Sequence, residues 1–417
     1  MTIVSHFAST IVIAFCILFG MTKPPPSPPL GPQALEGLLV ADFSRVLAGP
    51  YLTMLLSDLG ATVIKVESPQ GDQTRGWGPP YANGHSTYFQ GLNRGKQSVV
   101  LDLAEPEQQE LAIELARRCD ILVHNFVPGG MERFGLGYDA VAAINPRAIY
   151  CSLSAFGSDP AAAGLAGFDL VAQAVGGLMS ITGEADGAPT KVGVAVVDVL
   201  CGLHAGIGVL AALSARERSG RGQHVEVNLM MSILSALTNQ AAGFLMAGVV
   251  PQRAGNAHPS VAPYEVFTLA DGDIVIAAGT DEQYVRLCAA LQLDRYRTDP
   301  RFATNSQRVI HRRELVNALT TALSARKCED VLAALTAARV PAGRVNNLDA
   351  AFDLARSLGL DPVWRINDLD HVRTPISMDV TPPSPTTPPP EHDESGDTIR
   401  DWLRSAHLLA DEVSDSP

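Results

Sequence analysis

One carboxylate is a candidate nucleophile, in the stretch AGFDLVAQAVGGLMS at residues 166–180. Asp169 lies between a small-residue turn and an almost wholly apolar run that ends in a glycine pair. An Asp before an apolar helical run is typical of an N-cap, whose carboxylate accepts hydrogen bonds from the free amides of the first turn. A carboxylate can also attack an activated carbonyl and form a covalent intermediate. The local sequence leaves both roles open for Asp169.

Cations near the predicted strand ends form the second group of candidates: Arg45, Lys65, Arg75, Arg94, Lys96 and Arg133. Each alone is typical of a solvated surface charge. Several of them beside the carboxyl ends of parallel strands could bind phosphate groups, because doubly wound sheets bind ligands there. No G-x-G-x-x-G follows the first strand, and the chain has no P-loop and no G-x-S-x-G elbow. These absences disfavour a dinucleotide-dependent oxidoreductase and a serine hydrolase.

The elements that must position these residues alternate between strand and helix. Predicted strands lie at 37–43, 61–67, 97–103, 120–126 and 148–154. Predicted helices separate them; the first ends before Gly60, which suits a C′ position, and the second begins near Pro106. Such alternation predicts a mostly parallel, doubly wound α/β sheet with right-handed crossovers.

Long helices are predicted after residue 191, at 197–220 and 228–247. Asp198 and His204 argue against a membrane span in the first of them. The Asp-Gly pair in YEVFTLADGDIVIAAG predicts a β-hairpin. We therefore predict a Rossmann-like large domain at 31–250, a small α+β domain at 251–345 and a C-terminal return to the large domain at 346–417. Residues 1–30, an apolar run followed by a Pro-rich linker, are predicted to be peripheral, with a secretion signal as the alternative.

The bulk composition restricts the partners. The formal net charge of −13 argues against nucleic acid and anionic membranes, which need a dense cationic surface. The six cysteines are far apart, without a C-x-x-C pair or a zinc-like His spacing. The sequence therefore predicts a reducing, cytoplasmic location and no structural metal.

Seven segments occur in a fixed order along the chain: VADFSRVLAGPYLTMLLSDLGATVIKVESPQGDQTR, NRGKQSVVLDL, HNFVPGGMERFGLGYDA, NPRAIYCSLSAFG, AGFDLVAQAVGGLMSITG, GQHVEVNL and GNAHPSVAPY. Together they resemble the class III coenzyme A transferases, which include formyl-CoA and carnitine-CoA transferases, over roughly residues 37–390. The resemblance implies a Rossmann-like large domain, a small domain, and two chains threaded through one another as interlocked rings. A homodimer is thus expected.

In that family the catalytic residue is an aspartate in a G-[FY]-D-x-x-x-Q context, which matches Asp169 and Gln173. The implied reaction moves CoA between carboxylic acids through an aspartyl anhydride and an aspartyl-CoA thioester. An anhydride is nearly as reactive as a thioester, so the exchange needs no metal. Acyl-CoA and a free carboxylic acid are the implied substrates, and no tightly bound cofactor is expected.

The resemblance also implies contacts with CoA. Arg45, Val46, Leu47 and Ala48 match the contacts with the nucleotide end, Asn125, Phe126 and Arg133 match a second set, and Gly255 and Asn256 fall in a loop that closes over the acyl site. Two residues depart from the pattern. Ser68 stands where many members have Arg, and His124 where many have Glu. Weaker or differently placed phosphate contacts are expected.

Two alternatives remain besides the oxidoreductase. An α-methylacyl-CoA racemase on the same scaffold needs an acid and a base on opposite sides of the substrate α-carbon. Members of that branch place His at the positions held here by Phe168 and by the stretch 137–139, so transfer is favoured over racemisation. The other alternative is a catalytically silent CoA-binding protein, in which Asp169 is only a helix cap.

Overall fold

A computed structural model of the chain describes residues 33–162, 165–385 and 387–414. The predicted peripheral extension at 1–30 lies outside the described residues. The strands before residue 230 are β1 (Leu39–Asp42), β2 (Thr62–Glu67), β3 (Tyr81–Ala82), β4 (His85–Ser86), β5 (Lys96–Val100), β6 (Ile121–His124), β7 (Ile149–Ser154) and β8 (His224–Asn228).

Six of these strands form one sheet in the order β5-β2-β1-β6-β7-β8. Every pairing in it is parallel, as the β/α alternation predicts. The central strands are short apolar runs that are buried on both faces, as expected where helices cover both sides of a parallel sheet. The chain moves outward from β1 to β2 and β5, and then returns to β6 on the other side of β1. The strand order therefore reverses between β1 and β6.

Helices cover both faces of the sheet. They are α1 (Ala48–Asp58), α2 (Thr87–Gln90), α3 (Pro106–Arg118), α4 (Tyr138–Ile144), α5 (Asp169–Val175), α6 (Leu178–Ile181), α7 (Val196–Ser219), α8 (Leu229–Ala236) and α9 (Thr238–Ala247). One core cluster joins α1, α7 and α8 to the sheet, and a second joins α3 and the C-terminal helix α16 (Gly396–Ser414) to the opposite face. Alternate residues of β1 enter different clusters, Val40 the first and Ala41 the second.

The predicted continuous helix at 228–247 is wrong in one respect. It is broken at Leu237, where α8 and α9 meet at 83°. By length and composition α7 could cross a bilayer, but in this fold it packs along α1 and α8. Part of the α7 surface is therefore buried in the core of the large sheet domain.

A second, smaller sheet of three antiparallel strands contains β9 (Tyr264–Leu269), β10 (Gly272–Ala277) and β11 (Ala342–Arg344). The β9–β10 turn contains the predicted Asp271 and Gly272, and Gly272 has a positive φ of 147°. The helices packed with this sheet are α10 (Asp281–Ala290), α11 (Asp294–Arg297), α12 (Asn305–Ile310), α13 (Arg312–Leu323) and α14 (Cys328–Ala337). Their core cluster is drawn from residues 262–340 alone.

The C-terminal part begins with α15 (Leu348–Ser357) and the hairpin of β12 (Val363–Ile366) and β13 (Leu369–Val372). The Pro-rich segment then runs along the β5 edge of the large sheet: the Gly95 amide donates to the Thr387 carbonyl at 2.9 Å. The Asp393 carboxylate accepts from the Val100 amide at 2.7 Å. α16 finally packs on β5 and α3. The end of the chain thus covers the open edge of the large sheet.

Candidate active site

A pocket of about 210 Å³ lies at the reversal point of the large sheet. Its walls come from the carboxyl ends of β1, β6 and β7 and from the start of α7. The lining residues are Arg45, Val46, Leu47, Ala48, Gln73, Asn125, Leu153, Ser154, Ala155, Gly167, Phe168, Asp198, Cys201 and Leu229. Open α/β sheets bind ligands at this kind of reversal, because the loops on either side diverge and leave a crevice. The pocket therefore results from the reversal of strand order between β1 and β6.

The turn after β1 forms one wall and is fixed by a buried polar network. Asp42 accepts from the Ser44 amide at 2.9 Å and from the Thr53 hydroxyl at 2.6 Å. The Lys65 ammonium donates to the Ser44 carbonyl at 2.9 Å. Val46 has a positive φ of 70°, which is strained for a β-branched residue. Such strain persists only where the surroundings over-determine the backbone, so the course of residues 45–48 is set before any ligand binds.

Most of the candidate cations belong to internal ion pairs. Lys65 lies 3.0 Å from Asp72, Lys96 lies 3.1 Å from Asp42, Arg94 lies 2.6 Å from Asp58 and Arg75 lies 2.7 Å from Glu67. The side chains of Lys65 and Lys96 are fully buried. Neither predicted role, a solvated charge or a phosphate ligand, holds for these cations. Their charge instead offsets buried carboxylates beneath the pocket wall.

Arg45 remains free to meet a ligand. Its side chain is exposed at the pocket, and its guanidinium lies 5.1 Å from the centroid of the Phe126 ring. The Asn125 side chain links the two loops, because it accepts from the Arg45 amide at 2.9 Å and donates to the Arg45 carbonyl at 2.7 Å. The structure therefore brings together Arg45, Asn125 and Phe126. A neighbouring groove lined by Asn125, Phe126 and Phe168 continues from the pocket.

The carboxylate of Asp169 does not cap its own helix. Phe168 is the N-cap residue of α5, and Asp169 is the first helical residue. Its Oδ1 accepts instead from the Val197 amide at 2.8 Å and from the Asp198 amide at 3.3 Å. Both amides belong to the first turn of α7. The prediction that Asp169 caps its own helix, α5, is therefore wrong. The carboxylate lies instead at the N-terminal end of α7, where the helix dipole stabilises an anion.

Gln173 holds the other oxygen of the same carboxylate. Its Nε2 donates to Asp169 Oδ2 at 2.5 Å, and its Oε1 accepts from the Val192 amide at 2.9 Å. The side chain of Gln173 is fully buried, whereas Asp169 is half-buried. The G-F-D-x-x-x-Q spacing places the two residues one helical turn apart on the same face. Gln173 thus orients Asp169 and is itself oriented by the segment that precedes α7.

Asp198 is a site residue that the sequence reasoning missed. It lines the pocket, and burial, followed by the charge of Asp169, raises the pKa of its carboxyl to about 7. Burial and then the charges of Asp198 and Asp169 raise the pKa of Tyr88 to about 12. The sequence signal for Asp198 is an acid at the start of a long apolar helix.

The other predicted binding residues lie elsewhere on this chain. Arg133 is exposed and lies 5.0 Å from the Phe134 ring centroid, outside the lining of the pocket. Gly255 and Asn256 lie in a loop beside residues 183–184, where the Gly255 amide donates to the Gly183 carbonyl at 3.1 Å. Gly255 has a positive φ of 59°. Among the described residues, no hydrogen bond or ion pair joins Asp169 to this loop.

The two departures from the family pattern carry no charge toward a phosphate. His124 is almost fully buried, and burial followed by the proximity of His224 lowers its pKa to about 4. Its Nδ1 accepts from the Phe126 amide at 3.2 Å, so a neutral ring supports the Asn125–Phe126 turn. The Ser68 carbonyl lies 3.3 Å from the His392 ring, at the C-terminal segment. Within the described ranges, no cluster of three or more His, Cys, Asp or Glu side chains could hold a metal ion.

Comparison with known proteins identifies the family. The model of CoA-transferase family III matches residues 35–396. The chain is 41% identical over 360 residues to the succinate–glutarate CoA-transferase of Agrobacterium fabrum. The match covers 84% of this chain and 90% of that protein. It is 41% identical over 340 residues to the succinyl-CoA:glutarate CoA-transferase of Mus musculus, covering 80% of this chain and 77% of that protein.

A solved structure agrees with the sequence matches. The crystal structure of a CAIB/BAIF family protein from Brucella suis superposes with a TM-score of 0.81 at 39% identity, and the match covers 89% of this chain and all of that one (100%). The match therefore includes both sheets and the C-terminal return. The family model, the relatives and the shared fold lead to one conclusion: the chain belongs to CoA-transferase family III and is a CoA-transferase.

Proposed function

We propose that Asp169 is the nucleophile that carries acyl groups and CoA between two carboxylic acids. The observation that supports this role is the way in which its carboxylate is held. Two amides at the start of α7 bind one oxygen and Gln173 binds the other, at the sheet reversal that Arg45 and Asn125 also line. Hydrogen bonds from neutral donors orient a carboxylate without neutralising it by an ion pair. The Asp169 carboxyl group is thus held in a defined orientation.

The first half-reaction begins when Asp169 attacks the thioester carbonyl of acyl-CoA. The C–S bond breaks, an aspartyl anhydride forms, and the CoA thiolate leaves with the electron pair of that bond. The thiolate then attacks the aspartyl carbonyl of the anhydride. The original acid departs as a carboxylate, and Asp169 holds CoA as a thioester. The second acid repeats these steps in reverse order and leaves as the new acyl-CoA.

Attack on the thioester creates an oxyanion that needs hydrogen-bond donors. Once Asp169 uses an oxygen as the nucleophile, the amides of Val197 and Asp198 are the nearest oriented N–H groups. Pre-oriented amides stabilise such charge without reorganisation; removal of one oxyanion-hole donor in other enzymes costs roughly 10²–10³-fold in kcat. We propose that the first turn of α7 serves the ionised aspartate in the resting enzyme and the developing charge during reaction.

The CoA molecule would enter along the turn after β1. The backbone of residues 45–48 and the Asn125 amide line the pocket, and the Arg45 guanidinium is available for a phosphate. The adjoining groove supplies the aromatic side chains of Phe126 and Phe168. We propose that this groove and pocket hold the CoA arm, whose thioester end reaches Asp169.

We propose small dicarboxylic acids as the two acids exchanged. Succinate and glutarate appear in the names of the two relatives, each 41% identical to this chain. Relatives at this identity that span most of the chain share the scaffold of the pocket, although substrate choice depends on a few side chains. Succinyl-CoA with glutarate is therefore the first pair to assay.

We further propose that the working enzyme is a homodimer. Several large apolar side chains on and after α8 and α9 are exposed on the single chain: Met231, Phe244, Leu245, Met246, Val249 and Val250. A second exposed apolar group lies on and after α15, with Leu348, Leu354, Leu358 and Leu360. Monomeric soluble proteins rarely expose contiguous apolar patches of this kind. A homodimer would allow these surfaces to be buried against a second chain.

The nucleophile is tested by Asp169→Asn, with Asp139→Asn as the matched control. Asp139 is an exposed acid in the first turn of α4 and is outside the pocket lining. We expect the control to exchange label between succinyl-CoA and glutarate at the wild-type rate and Asp169→Asn to lose exchange by orders of magnitude, with CoA binding retained, because the covalent route is removed.

Chemical trapping supplies the independent measurement. Hydroxylamine added to wild-type enzyme with acyl-CoA should leave a hydroxamate on the peptide that contains Asp169. Near-normal exchange by Asp169→Asn, checked by mass spectrometry for deamidation, would contradict the proposal. Solvent deuterium at the substrate α-carbon, without a modified peptide, would instead identify a racemase.

A further inference from the structure

The carboxyl of Asp198 is left without the hydrogen bonds that its position would ordinarily provide. It stands in the first turn of α7, where free amides normally stabilise an acid. The amides of Val197 and Asp198 point instead to Asp169 Oδ1, at 2.8 Å and 3.3 Å. Among the residues that the structure describes, none donates a hydrogen bond to the side chain of Asp198. Two carboxyl groups thus lie at the same end of α7, and the free amides of that end bind Asp169 rather than Asp198.

The groups around Asp198 leave Asp169 as its main electrostatic partner. Asp169 faces it from α5, Tyr88 from α2, Cys201 from the next turn of α7, and Arg45 from the opposite pocket wall. Burial raises the pKa of Cys201 to about 12, and burial with the two carboxylates raises that of Tyr88 to about 12, so both stay neutral. Arg45 is exposed to solvent, which screens its charge.

Protons are consequently divided unequally between the two acids. Burial first and the charge of Asp169 second raise the pKa of Asp198 to about 7, so near neutrality a large share of molecules holds a proton on Asp198. Unequal environments around paired carboxyl groups are a general means of assigning acid and nucleophile roles. Here Asp198 is the partner that retains a proton, and Asp169 is the group proposed to attack the thioester.

Acylation of Asp169 changes this balance. When the anhydride forms, Asp169 loses its negative charge and a thiolate appears on CoA. Because the charge of Asp169 helped to retain the proton on Asp198, its removal makes Asp198 a stronger acid at that moment. A free thiol has an ordinary pKa near 8.5, so the proton then favours sulfur. The structure therefore couples the covalent step to the acidity of the neighbouring carboxyl.

We infer that Asp198 is a second catalytic residue, a proton carrier that gives its proton to the departing CoA sulfur and takes it back before the sulfur attacks the anhydride. The inference rests on the proposed role of Asp169. In the forward transfer the O–H bond of the Asp198 carboxyl breaks, an S–H bond forms on CoA, and Asp198 becomes a carboxylate. In the return transfer the thiol proton moves to that carboxylate and regenerates the nucleophilic thiolate. No further reactant is consumed.

The kinetic test compares wild type, Asp198→Asn and the control Glu217→Gln, which alters an exposed acid in the last turns of the same helix. The probe is label exchange between succinyl-CoA and glutarate from pH 5.5 to 9. For wild type and control, kcat/KM should fall as the pH rises above about 7, where free Asp198 loses its proton. Asp198→Asn should lack this alkaline fall and should lose roughly 10²-fold in kcat.

The spectroscopic test follows the proton itself. Infrared difference spectra at pH 6 should show a protonated carboxyl band in wild type that is absent from Asp198→Asn. Addition of acyl-CoA should remove that band as acyl-Asp169 accumulates. Loss of the band shows directly that the proton leaves the Asp198 carboxyl when Asp169 is acylated, and the change is measured in the wild-type enzyme.

The outcomes distinguish this inference from the proposed function. Failure to trap a hydroxamate on Asp169 in wild type would reject the nucleophile, and with it the coupling. A normal hydroxamate together with an unchanged alkaline limb in Asp198→Asn, a kcat within threefold of wild type, or a carboxyl band that persists after acylation would overturn the role of Asp198 alone.

Discussion

Replacement of Gln173 by methionine tests how Asp169 is oriented. Methionine is unbranched and of similar length, so it can occupy the fully buried Gln173 site. It removes the donor at 2.5 Å from Asp169 Oδ2 and the acceptor at 2.9 Å from the Val192 amide. The two amides of α7 still bind the other oxygen of Asp169. The variant therefore loosens the nucleophile without removing it.

Two lost hydrogen bonds set the expected size of the effect. A hydrogen bond to a charged group contributes about 1.5–3 kcal/mol, and an amide left without its partner costs about 1–3 kcal/mol, the lower end applying to the half-buried Val192. We expect a loss of about 3 kcal/mol in the free energy of unfolding, a large part of the stability of an ordinary domain. Misplacement of a reacting group by about 1 Å can cost on the order of 10²-fold in rate.

The assay separates orientation from binding. The kcat for exchange should fall by about 10²-fold, whereas the KM for acyl-CoA should stay near the wild-type value, because Gln173 does not line the CoA pocket. Gln109→Met is the matched control: it removes one hydrogen bond to the Phe134 carbonyl, at 2.8 Å, and should lose about 1 kcal/mol of stability with normal kcat. A Gln173→Met enzyme with kcat within threefold of wild type would refute the orienting role.

Three further predictions concern CoA, pH and assembly. Arg45→Ala should raise the KM for acyl-CoA about tenfold, which corresponds to the lower end of the energy of a charge-assisted contact. Arg133→Ala should also raise the KM if the second set of contacts binds CoA. An unchanged KM in either variant would remove that residue from the CoA site. The raised pKa of Asp198 means that the folded chain binds a proton more tightly than the unfolded one between pH 3.8 and about 7, so this group lowers stability as the pH rises through that window. Asp198→Asn should remove that decline in urea unfolding series, and a decline equal to that of wild type would contradict it. A homodimer should persist on dilution, because threaded chains cannot separate without unfolding, and light scattering that finds a folded monomer at micromolar concentration would reject the assembly.

Local sequence patterns were sufficient for the strands of the large sheet and for their parallel pairing. Each strand is a short apolar or β-branched run, and each following helix carries its own start or stop signal, such as Pro106 at the first turn of α3. Parallel pairing follows from the β/α alternation, since consecutive parallel strands need a crossover. The boundary at Leu237 did not follow, because the apolar pattern continues through the 83° bend, where Thr238 has a positive φ of 40°.

The pairing of the cations also depended on tertiary structure. Lys65 and Lys96 point inward from adjacent parallel strands, and their partners Asp72 and Asp42 come from the loop after β2 and the end of β1. A sequence shows that such residues follow or occupy strands, but it does not show which charge each will meet. Inter-strand register decides that, and it left the Arg45 side chain exposed at the pocket while both lysines are buried.

The sequence by itself placed Asp169 and Gln173 on one helical face, because residues four apart on a helix share a face, and the family resemblance alone pointed to Asp169 as a nucleophile. The sequence also predicted that a ligand would bind beside the carboxyl ends of the parallel strands. Only the tertiary structure decided which helix binds the Asp169 carboxylate: the donors are 28 and 29 residues away, at the start of α7. The same packing places Asp198 beside Asp169 and raises its pKa. Burial and the distance between two charges are properties of the folded chain, so no local pattern around either acid contains them.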